Sequence, residues 1–194
     1  MITDCTAIIL AGGNSSRMGR DKAILPFNGS TLLQSVIDVA QPLFVLTLLS
    51  VREIRAEFAI PQVVDTQTNG GPLAGLVSAL EKISTPWAFV VACDMPFIAP
   101  AMIERLATLR GGHQAVIPLA QGYAQPLLAF YAQSCLPALR EHLVNGDKSL
   151  LGALEKLDSR LVAMDELAAT DMQLRSFIDL DTPQDVMLAE AMKR

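Results

Sequence analysis

Short apolar runs alternate with segments of helical periodicity along the first two thirds of the chain. The runs of strand length are residues 6–10, 43–51, 62–64, 87–92 and 115–118. Apolar residues three and four positions apart, as on one face of a helix, occupy the segments 31–40, 72–83 and 101–109. Because the runs are continuously apolar, we expect strands buried on both faces of a mostly parallel sheet, with helices on either side.

The pattern is less regular in the last third of the chain. A strand-like segment LLAFY ends at residue 131. Helical patterns occupy about residues 133–144 and 149–157. Two more short strands are predicted at residues 160–164 and 177–180. Thr182-Pro183 is typical of a helix start, with the threonine as N-cap and the proline in the first turn, so a last helix is predicted after it.

Length and composition indicate a single domain spanning residues 1–194 with a large core. Apolar residues make up 51% of the chain. The longest apolar stretch, 39–51, is interrupted by Gln41 and Pro42 and is shorter than the roughly 20 residues that cross a bilayer. The first ten residues contain an acid and no basic side chain, unlike a signal peptide. We therefore expect a cytoplasmic protein without a membrane segment.

The net charge and the cysteines exclude other classes. A formal charge of −5 argues against a general nucleic-acid-binding protein, because phosphate-backbone affinity comes from Lys and Arg. Cys5, Cys93 and Cys135 show no CxxC spacing, and we expect buried thiols at Cys5 and Cys93. His113 and His142 stand alone, without a partner at the spacing of metal ligands.

Residues 10–25, LAGGNSSRMGRDKAIL, follow the first apolar run and collect glycines and cationic side chains. Glycines let backbone N–H groups approach an anion closely, and Arg17 and Lys22 add charge that can reach phosphate oxygens. The spacing fits neither a P-loop nor the GxGxxG dinucleotide fingerprint. The residues favour a phosphate-binding loop, and a surface loop with solvated charges is the alternative.

An aspartate, Asp94, comes directly after the buried strand 87–92, in the segment WAFVVACDMPF. Ligands of open α/β sheets bind outside the carboxyl ends of the strands, and a carboxylate there suits Mg²⁺. A turn aspartate that accepts a hydrogen bond from its own backbone is the alternative interpretation.

The sequences of these segments resemble the motifs of one protein family. LAGGNSSRMGRDKAIL closely resembles the LAGGxSxRMGxDKxxL signature of the molybdenum cofactor guanylyltransferases, nucleotidyltransferases with a three-layer, Rossmann-like α/β fold. Similar motifs recur at Asp65 followed by GGPLAG (70–75), at CDMP around Asp94, and at QPLLAFY (125–131). The resemblance is strong up to about residue 131 and thin beyond it.

The resemblance implies a role for each matching position. Leu10, Ala11, Gly12 and Gly13 would line the guanine and phosphate part of a GTP site. Arg17 and Lys22 would grip the triphosphate, and Asp94 would hold Mg²⁺. Asp65 would contact the guanosine, while Gly71 and Gly75 would let the nucleotide lie against the backbone. The resemblance assigns catalysis to Arg17, Lys22 and Asp94.

The implied reaction transfers GMP from GTP to the terminal phosphate of molybdenum-molybdopterin and releases pyrophosphate. The nucleotide would bind to about residues 1–115 and the acceptor to about residues 116–194. A turn at 146–149 could present Lys148 to an anionic acceptor, and a solvated turn explains the same residues. Implied partners are the two substrates and, in transient contact, a molybdoenzyme or another protein of cofactor biosynthesis.

The chain departs from the family near its C-terminus, where F-x-N-x-N-T-P is usual and aspartate stands at both asparagine positions, Asp179 and Asp181. Ionised aspartate accepts hydrogen bonds but does not donate them. One of the two could be a second Mg²⁺ ligand, as in related cytidylyltransferases, and we select Asp181. A different acceptor, weak activity, or an N-cap role of Asp181 are the alternatives.

A second departure lies at the end of the strand 43–51, where a polar residue, often asparagine, contacts the nucleotide in the family. Leu49 and Val51 cannot do so through their side chains. Two other functions therefore remain open: a CTP-dependent or sugar-phosphate-coupling transferase, and a catalytically silent relative that binds nucleotide or cofactor.

Overall fold

The computed structural model describes residues 1–13, 21–67 and 70–191. The candidate catalytic residue Arg17 lies outside these ranges. The strands are β1 (Ile2–Leu10), β2 (Pro26–Phe27), β3 (Ser30–Thr31), β4 (Phe44–Val51), β5 (Gln62–Val64), β6 (Trp87–Ala92), β7 (Ala115–Ala120), β8 (Tyr123–Ala124), β9 (Leu128–Ala132) and β10 (Ser159–Val162). The α-helices are α1 (Leu32–Ala40), α2 (Gly71–Leu80), α3 (Pro100–Thr108), α4 (Leu136–Val144), α5 (Leu150–Leu154) and α6 (Pro183–Ala191).

The central sheet has the strand order β10-β7-β9-β6-β1-β4-β5, and β8 pairs with β7. β1 lies between β4 and β6 and is parallel to both, and β5 is parallel to β4. β9 runs antiparallel to its neighbours β6 and β7, whereas β10 is parallel to β7. The predicted α/β fold with a mostly parallel sheet is confirmed. β2 and β3 form a separate two-stranded hairpin.

The core lies on both faces of this sheet, as the continuous apolar strands predict. One apolar cluster packs against α1 and α3 and contains a group of phenylalanines, in which Phe89 lies 5.4 Å from Phe44 and 5.0 Å from Phe130 between ring centroids. The other packs against α2, α4 and α5. Because both faces of the sheet are packed against helices, the edge at which its strands end is held rigidly.

Two predicted elements differ from the structure. Residues 177–180 do not form a strand: a 3-10 turn covers Arg175–Phe177, and the Leu180 N–H donates to the Asp94 carbonyl at 2.9 Å. The segment lies against the loop after β6 instead of pairing at a sheet edge, which local pattern could not reveal. The predicted helix 149–157 is shorter, ending at Leu154. Within the described ranges, none of the helices has the length and apolar character needed to cross a membrane.

Candidate active site

Four parallel strands, β5, β4, β1 and β6, end at the same edge of the sheet, and a cavity of about 390 Å³ opens there. Each strand is followed directly by residues that line this cavity. The lining residues are Leu10, Ala11, Gly12, Gly13, Asp21, Lys22, Ser50, Arg52, Asp65, Gly71, Pro72, Gly75, Ala92, Cys93, Asp94 and Leu127. Every predicted site residue within the described ranges, apart from Asp181, is among them.

The segment after β1 is fixed to both neighbouring strands. The Ala11 N–H donates to the Ser50 carbonyl at 2.8 Å, and the Leu10 carbonyl accepts from the Cys93 N–H at 3.2 Å. The N–H of Ala11 is therefore engaged with the end of β4. Gly12 and Gly13 follow as the backbone that borders the cavity, which is the part of the chain that an anion could approach.

Lys22 returns to this edge at the start of a 3-10 turn, Lys22–Ile24. Asp21 caps the turn, because its carboxylate accepts from the Ala23 N–H at 3.0 Å. The Lys22 ammonium donates to the Asp94 carboxylate at 3.0 Å and also contacts the Asp181 carboxylate. Burial lowers the pKa of Lys22, but the hydrogen bonds to Asp181 and Asp94 outweigh it and raise the pKa above 10.5, so this side chain stays charged.

Asp181 reaches Lys22 because of the way the C-terminal segment, residues 178–181, is held. Leu180 packs in a small apolar cluster with Phe27 of the β2–β3 hairpin. The hydroxyl of Thr182 accepts from the Asp185 N–H at 3.2 Å, and the Asp185 carboxylate accepts from the Thr182 N–H at 2.7 Å. Thr182 is thus the N-cap of α6, as predicted, and the alternative that Asp181 serves as the cap is wrong.

The two aspartates of the C-terminal segment differ from each other. Asp181 contacts Lys22 directly. Burial and the nearby carboxylates of Asp181 and Asp94 raise the pKa of Asp179 above 3.8. Asp179 therefore lies close enough to Asp181, Asp94 and Lys22 for their charges to act on it.

Asp65 lies on the opposite side of the cavity, at the end of β5. Its carboxylate accepts from the Ser50 hydroxyl at 2.8 Å. A Cβ atom placed on Gly12 would lie 2.9 Å from this carboxylate, and one placed on Gly75 would lie 2.6 Å from the Ser50 hydroxyl. Burial raises the pKa of Asp65, while the Ser50 hydrogen bond and the charge of Arg52 act against it. The two glycines are therefore the residues that let the Ser50–Asp65 pair fit.

Gly71 opens α2 beside this pair. Its φ of +66° is a left-handed conformation that favours glycine. A Cβ atom there would lie 3.9 Å from the Lys148 carbonyl, so the predicted turn at 146–149 approaches the start of α2. That this turn presents Lys148 to an anionic acceptor stays a prediction.

Several lining residues were missed by the sequence analysis: Asp21, Ser50, Arg52, Pro72, Ala92, Cys93 and Leu127. Ser50 was passed over because Leu49 and Val51 beside it are apolar, yet these two are fully buried and the serine faces the cavity. Its position between two buried neighbours was the available signal. Cys93 is half-buried and lines the cavity, unlike Cys5, which is fully buried as predicted.

The QPLLAFY segment contributes one residue to the cavity wall. Leu127 lines the cavity, and its carbonyl accepts from the Ala92 N–H at 3.0 Å. Tyr131 is fully buried, and its hydroxyl donates to the Pro126 carbonyl at 2.9 Å. The tyrosine thus shapes the turn that carries Leu127.

The donor set fits a hard divalent cation. Among the described residues, no group of three or more His, Cys, Asp or Glu side chains could hold a metal ion. Asp94 and Asp181, however, converge on one ammonium group, so a cation is already accommodated between them. Mg²⁺ in phosphate-transfer sites is held by one or two carboxylates together with substrate phosphates and water.

Comparisons with known proteins agree with this geometry. Residues 7–161 match the family model of the MobA-like NTP transferase domain. A probable molybdenum cofactor guanylyltransferase of Chloroflexus aggregans is 35% identical, over 96% of this chain and 93% of the relative. One of Pelotomaculum thermopropionicum is 31% identical, over 96% of this chain and 92% of the relative.

A solved structure agrees as well. Molybdopterin-guanine dinucleotide biosynthesis protein A from Archaeoglobus fulgidus superimposes with a TM-score of 0.87 at 28% identity, over 97% of this chain and 98% of that one. With the family model and the curated relatives, this match establishes that this chain belongs to the MobA-like NTP transferases.

Proposed function

We propose that this protein is a molybdenum cofactor guanylyltransferase, which transfers GMP from GTP to the terminal phosphate of molybdenum-molybdopterin. The observation that carries the proposal is the meeting of Lys22 and Asp94, 3.0 Å apart, in one cavity beside the Gly12–Gly13 backbone. The curated relatives carry the same name, molybdenum cofactor guanylyltransferase, which favours GTP over CTP.

The reaction asks little acid–base chemistry of the protein, because the attacking group is an anionic phosphate. An oxygen of the acceptor phosphate forms a bond to the α-phosphorus of GTP, and the bond from that phosphorus to the bridging oxygen breaks. Pyrophosphate leaves with the bond electrons. The protein has to align the two phosphates and neutralise the charge that develops on them.

Lys22 supplies one of these charges. Its ammonium is held by Asp94 and Asp181, and a phosphate oxygen can take the place of either carboxylate as acceptor. Gly12 and Gly13 offer backbone close to the same point. Arg17 is assigned to the triphosphate by the family signature alone.

The charge of the cluster argues for a divalent cation. One lysine and the carboxylates of Asp94 and Asp181 carry a net charge of −1, which would repel a triphosphate. Asp94 and Asp181 are the residues that would hold Mg²⁺. The ion, when bound, would supply Lewis-acid stabilisation of phosphoryl charge.

On the nucleoside side, the proposal assigns Asp65 to the guanosine. Its carboxylate is an acceptor for N–H and O–H groups, and Ser50 holds it in place at 2.8 Å. Leu10, Ala11, Gly71 and Gly75 form the apolar and backbone walls of the same side. Ser50 is the polar residue at the end of β4, the part of the chain where the family often has an asparagine.

We assign the acceptor to the part of the chain after about residue 116, in which the Lys148 carbonyl lies near Gly71 and Asp181 contacts Lys22. Aspartate at 179 and 181 places negative charge next to a phosphate acceptor, which strengthens the requirement for a bound cation. Contact with a molybdoenzyme or with another protein of cofactor biosynthesis, and a cytoplasmic location, stay predictions.

Pyrophosphate release tests the proposal. Purified protein is supplied with molybdenum-molybdopterin and either GTP or CTP, with Mg²⁺ or with EDTA. We expect release with GTP and Mg²⁺ and formation of the guanine dinucleotide, identified by mass spectrometry. Release with CTP alone would replace the guanylyl assignment with a cytidylyl one, and tight binding of both substrates without release would establish a catalytically silent protein.

A further inference from the structure

Arg55 makes an unusual set of contacts beside the cavity. Its side chain is only 16% exposed although it is charged. One guanidinium nitrogen, Nη2, lies 3.2 Å from the Ala11 carbonyl and 2.6 Å from the Asp21 carboxylate. Ala11 directly follows β1, and Asp21 directly precedes Lys22, so a single side chain bridges the two sides of the phosphate-facing segment.

The backbone of Arg55 is itself firmly held. Its N–H donates to the Gln62 side-chain oxygen at 2.9 Å, and its carbonyl accepts from the Gln62 side-chain nitrogen at 2.7 Å. The same nitrogen donates to the Phe58 carbonyl at 3.1 Å, and Phe58 is buried in the core. Gln62 belongs to β5, so the guanidinium is positioned from the sheet.

The Asp21 contact leads directly to Lys22. One oxygen of the Asp21 carboxylate accepts from the Ala23 N–H, which starts the 3-10 turn carrying Lys22, and the other oxygen pairs with Arg55. Glu57, at 3.8 Å, adds a weaker second charge partner to the guanidinium. The orientation of the turn therefore depends on where Arg55 holds Asp21.

We infer that Arg55 is a positioning residue for nucleotide binding: it sets the distance between the Gly12–Gly13 backbone and Lys22. The inference rests on the proposed function, because that function gives those two groups a common phosphate ligand. A guanidinium is suited to this task, since the two hydrogens of its planar Nη2 group point in fixed directions toward two acceptors, whereas a lysine offers a point charge on a flexible stem.

The test compares Arg55→Gln and Arg55→Lys with a matched control, Arg140→Gln. Arg140 forms an ion pair of the same length, 2.6 Å, with Glu81, away from the cavity lining. GTP affinity is measured by calorimetry, and KM and kcat by pyrophosphate release. Hydrogen exchange of the amides of residues 21–25 is followed in the nucleotide-free proteins.

For Arg55→Gln we expect GTP to bind about tenfold more weakly, the loss expected for a hydrogen bond to a charged group. KM should rise more than kcat falls, and the amides of residues 21–25 should exchange faster. Arg55→Lys should recover only part of the affinity. Arg140→Gln should match the wild type in all measurements.

A double variant separates positioning from general destabilisation. If Arg55 acts through Asp21, Arg55→Gln combined with Asp21→Asn binds GTP no more weakly than the worse single variant. Unchanged GTP affinity and unchanged exchange in Arg55→Gln would overturn the inference. A wild type that neither binds GTP nor releases pyrophosphate would instead contradict the proposed function, and the exchange data would still decide the role of Arg55.

Discussion

The two sides of the cavity are built in different ways. On one side, residues directly after β1, β4, β5 and β6 face the ligand, and each is held by the strand that it follows. On the other side, Asp181 arrives on the C-terminal segment, which has no strand partner and is held by Leu180 and the cap of α6. The first side is a consequence of the sheet, whereas the second depends on docking between distant parts of the chain.

The difference teaches which substitutions should be tolerated. A side chain at a strand end is surrounded by buried neighbours, so a change there disturbs geometry as well as chemistry. We expect the C-terminal segment to adjust more readily, because it lies outside the sheet and is held by the packing of Leu180 and the cap of α6. We therefore expect substitution of Lys22, where both sides meet, to reduce activity most. Substitutions on either side alone should reduce it less.

Lys22→Ala is expected to have the largest effect, because it removes the one cation in the described part of the chain that both Asp94 and Asp181 contact. Turnover should fall by on the order of a hundredfold or more, as when a charge-stabilising donor is lost from other enzymes. Asp94→Ala should have a similar effect. Pyrophosphate release is measured on folded protein, with the exposed Lys82→Ala as control. Near-normal turnover in either variant would remove that residue from the mechanism.

Gly75→Ala tests the strand-end side alone. The added Cβ would lie 2.6 Å from the Ser50 hydroxyl and 3.3 Å from the Asp65 carboxylate, so this hydrogen-bonded pair has to move. GTP binding should weaken about tenfold, in the range expected for overpacking. Gly111→Ala is the control, because its Cβ would meet nothing within 4 Å. Equal affinity in both variants would contradict the assignment of this wall to the nucleotide.

Asp181→Asn tests the docked side. Removing one of two carboxylates weakens the attraction for a cation, so the Mg²⁺ concentration for half-maximal turnover should rise about threefold to tenfold. The exposed Asp165→Asn serves as control. A fall in turnover that is the same at every Mg²⁺ concentration would show that Asp181 acts on Lys22 or on the acceptor and not on the metal.

Asp65→Asn is expected to have the smallest of these effects: a slight change in stability together with weaker GTP binding. Burial raises the pKa of Asp65 above 3.8, so the folded chain holds this proton more tightly than the unfolded chain. Stability is then lost as pH rises from about 3.8 through the folded pKa, and the ionised carboxylate lowers stability at neutral pH.

The neutral asparagine should therefore raise Tm at pH 7 by roughly 1–2 °C, with the difference shrinking toward pH 3. GTP affinity should fall in the same variant. Thermal unfolding at the two pH values and calorimetry with GTP check both parts. A lower Tm at pH 7 would show that the Asp65 carboxylate stabilises the fold, contrary to this prediction.

What the sequence predicted follows the same division. Gly12 and Asp94 were selected because each stands just beyond an apolar run, and parallel strands bring their ends to one edge. Asp65 was selected through the resemblance of its segment to the family motif. Ser50 was missed because its neighbours Leu49 and Val51 dominated the local pattern. Arg55 gave no signal at all, since its partners Ala11 and Asp21 are more than thirty residues away.

By itself, the sequence determined the α/β architecture, the edge at which a ligand would bind and most of the cavity wall. The architecture and the edge depend on local periodicity and on the rule that parallel strands share an end, whereas most wall residues came from the resemblance to the family motifs. Only the tertiary structure decided that Asp181 contacts Lys22 and that residues 178–181 lie against the loop after β6 without forming a strand. Such contacts are set by packing between distant segments, and no pattern within a short window records them.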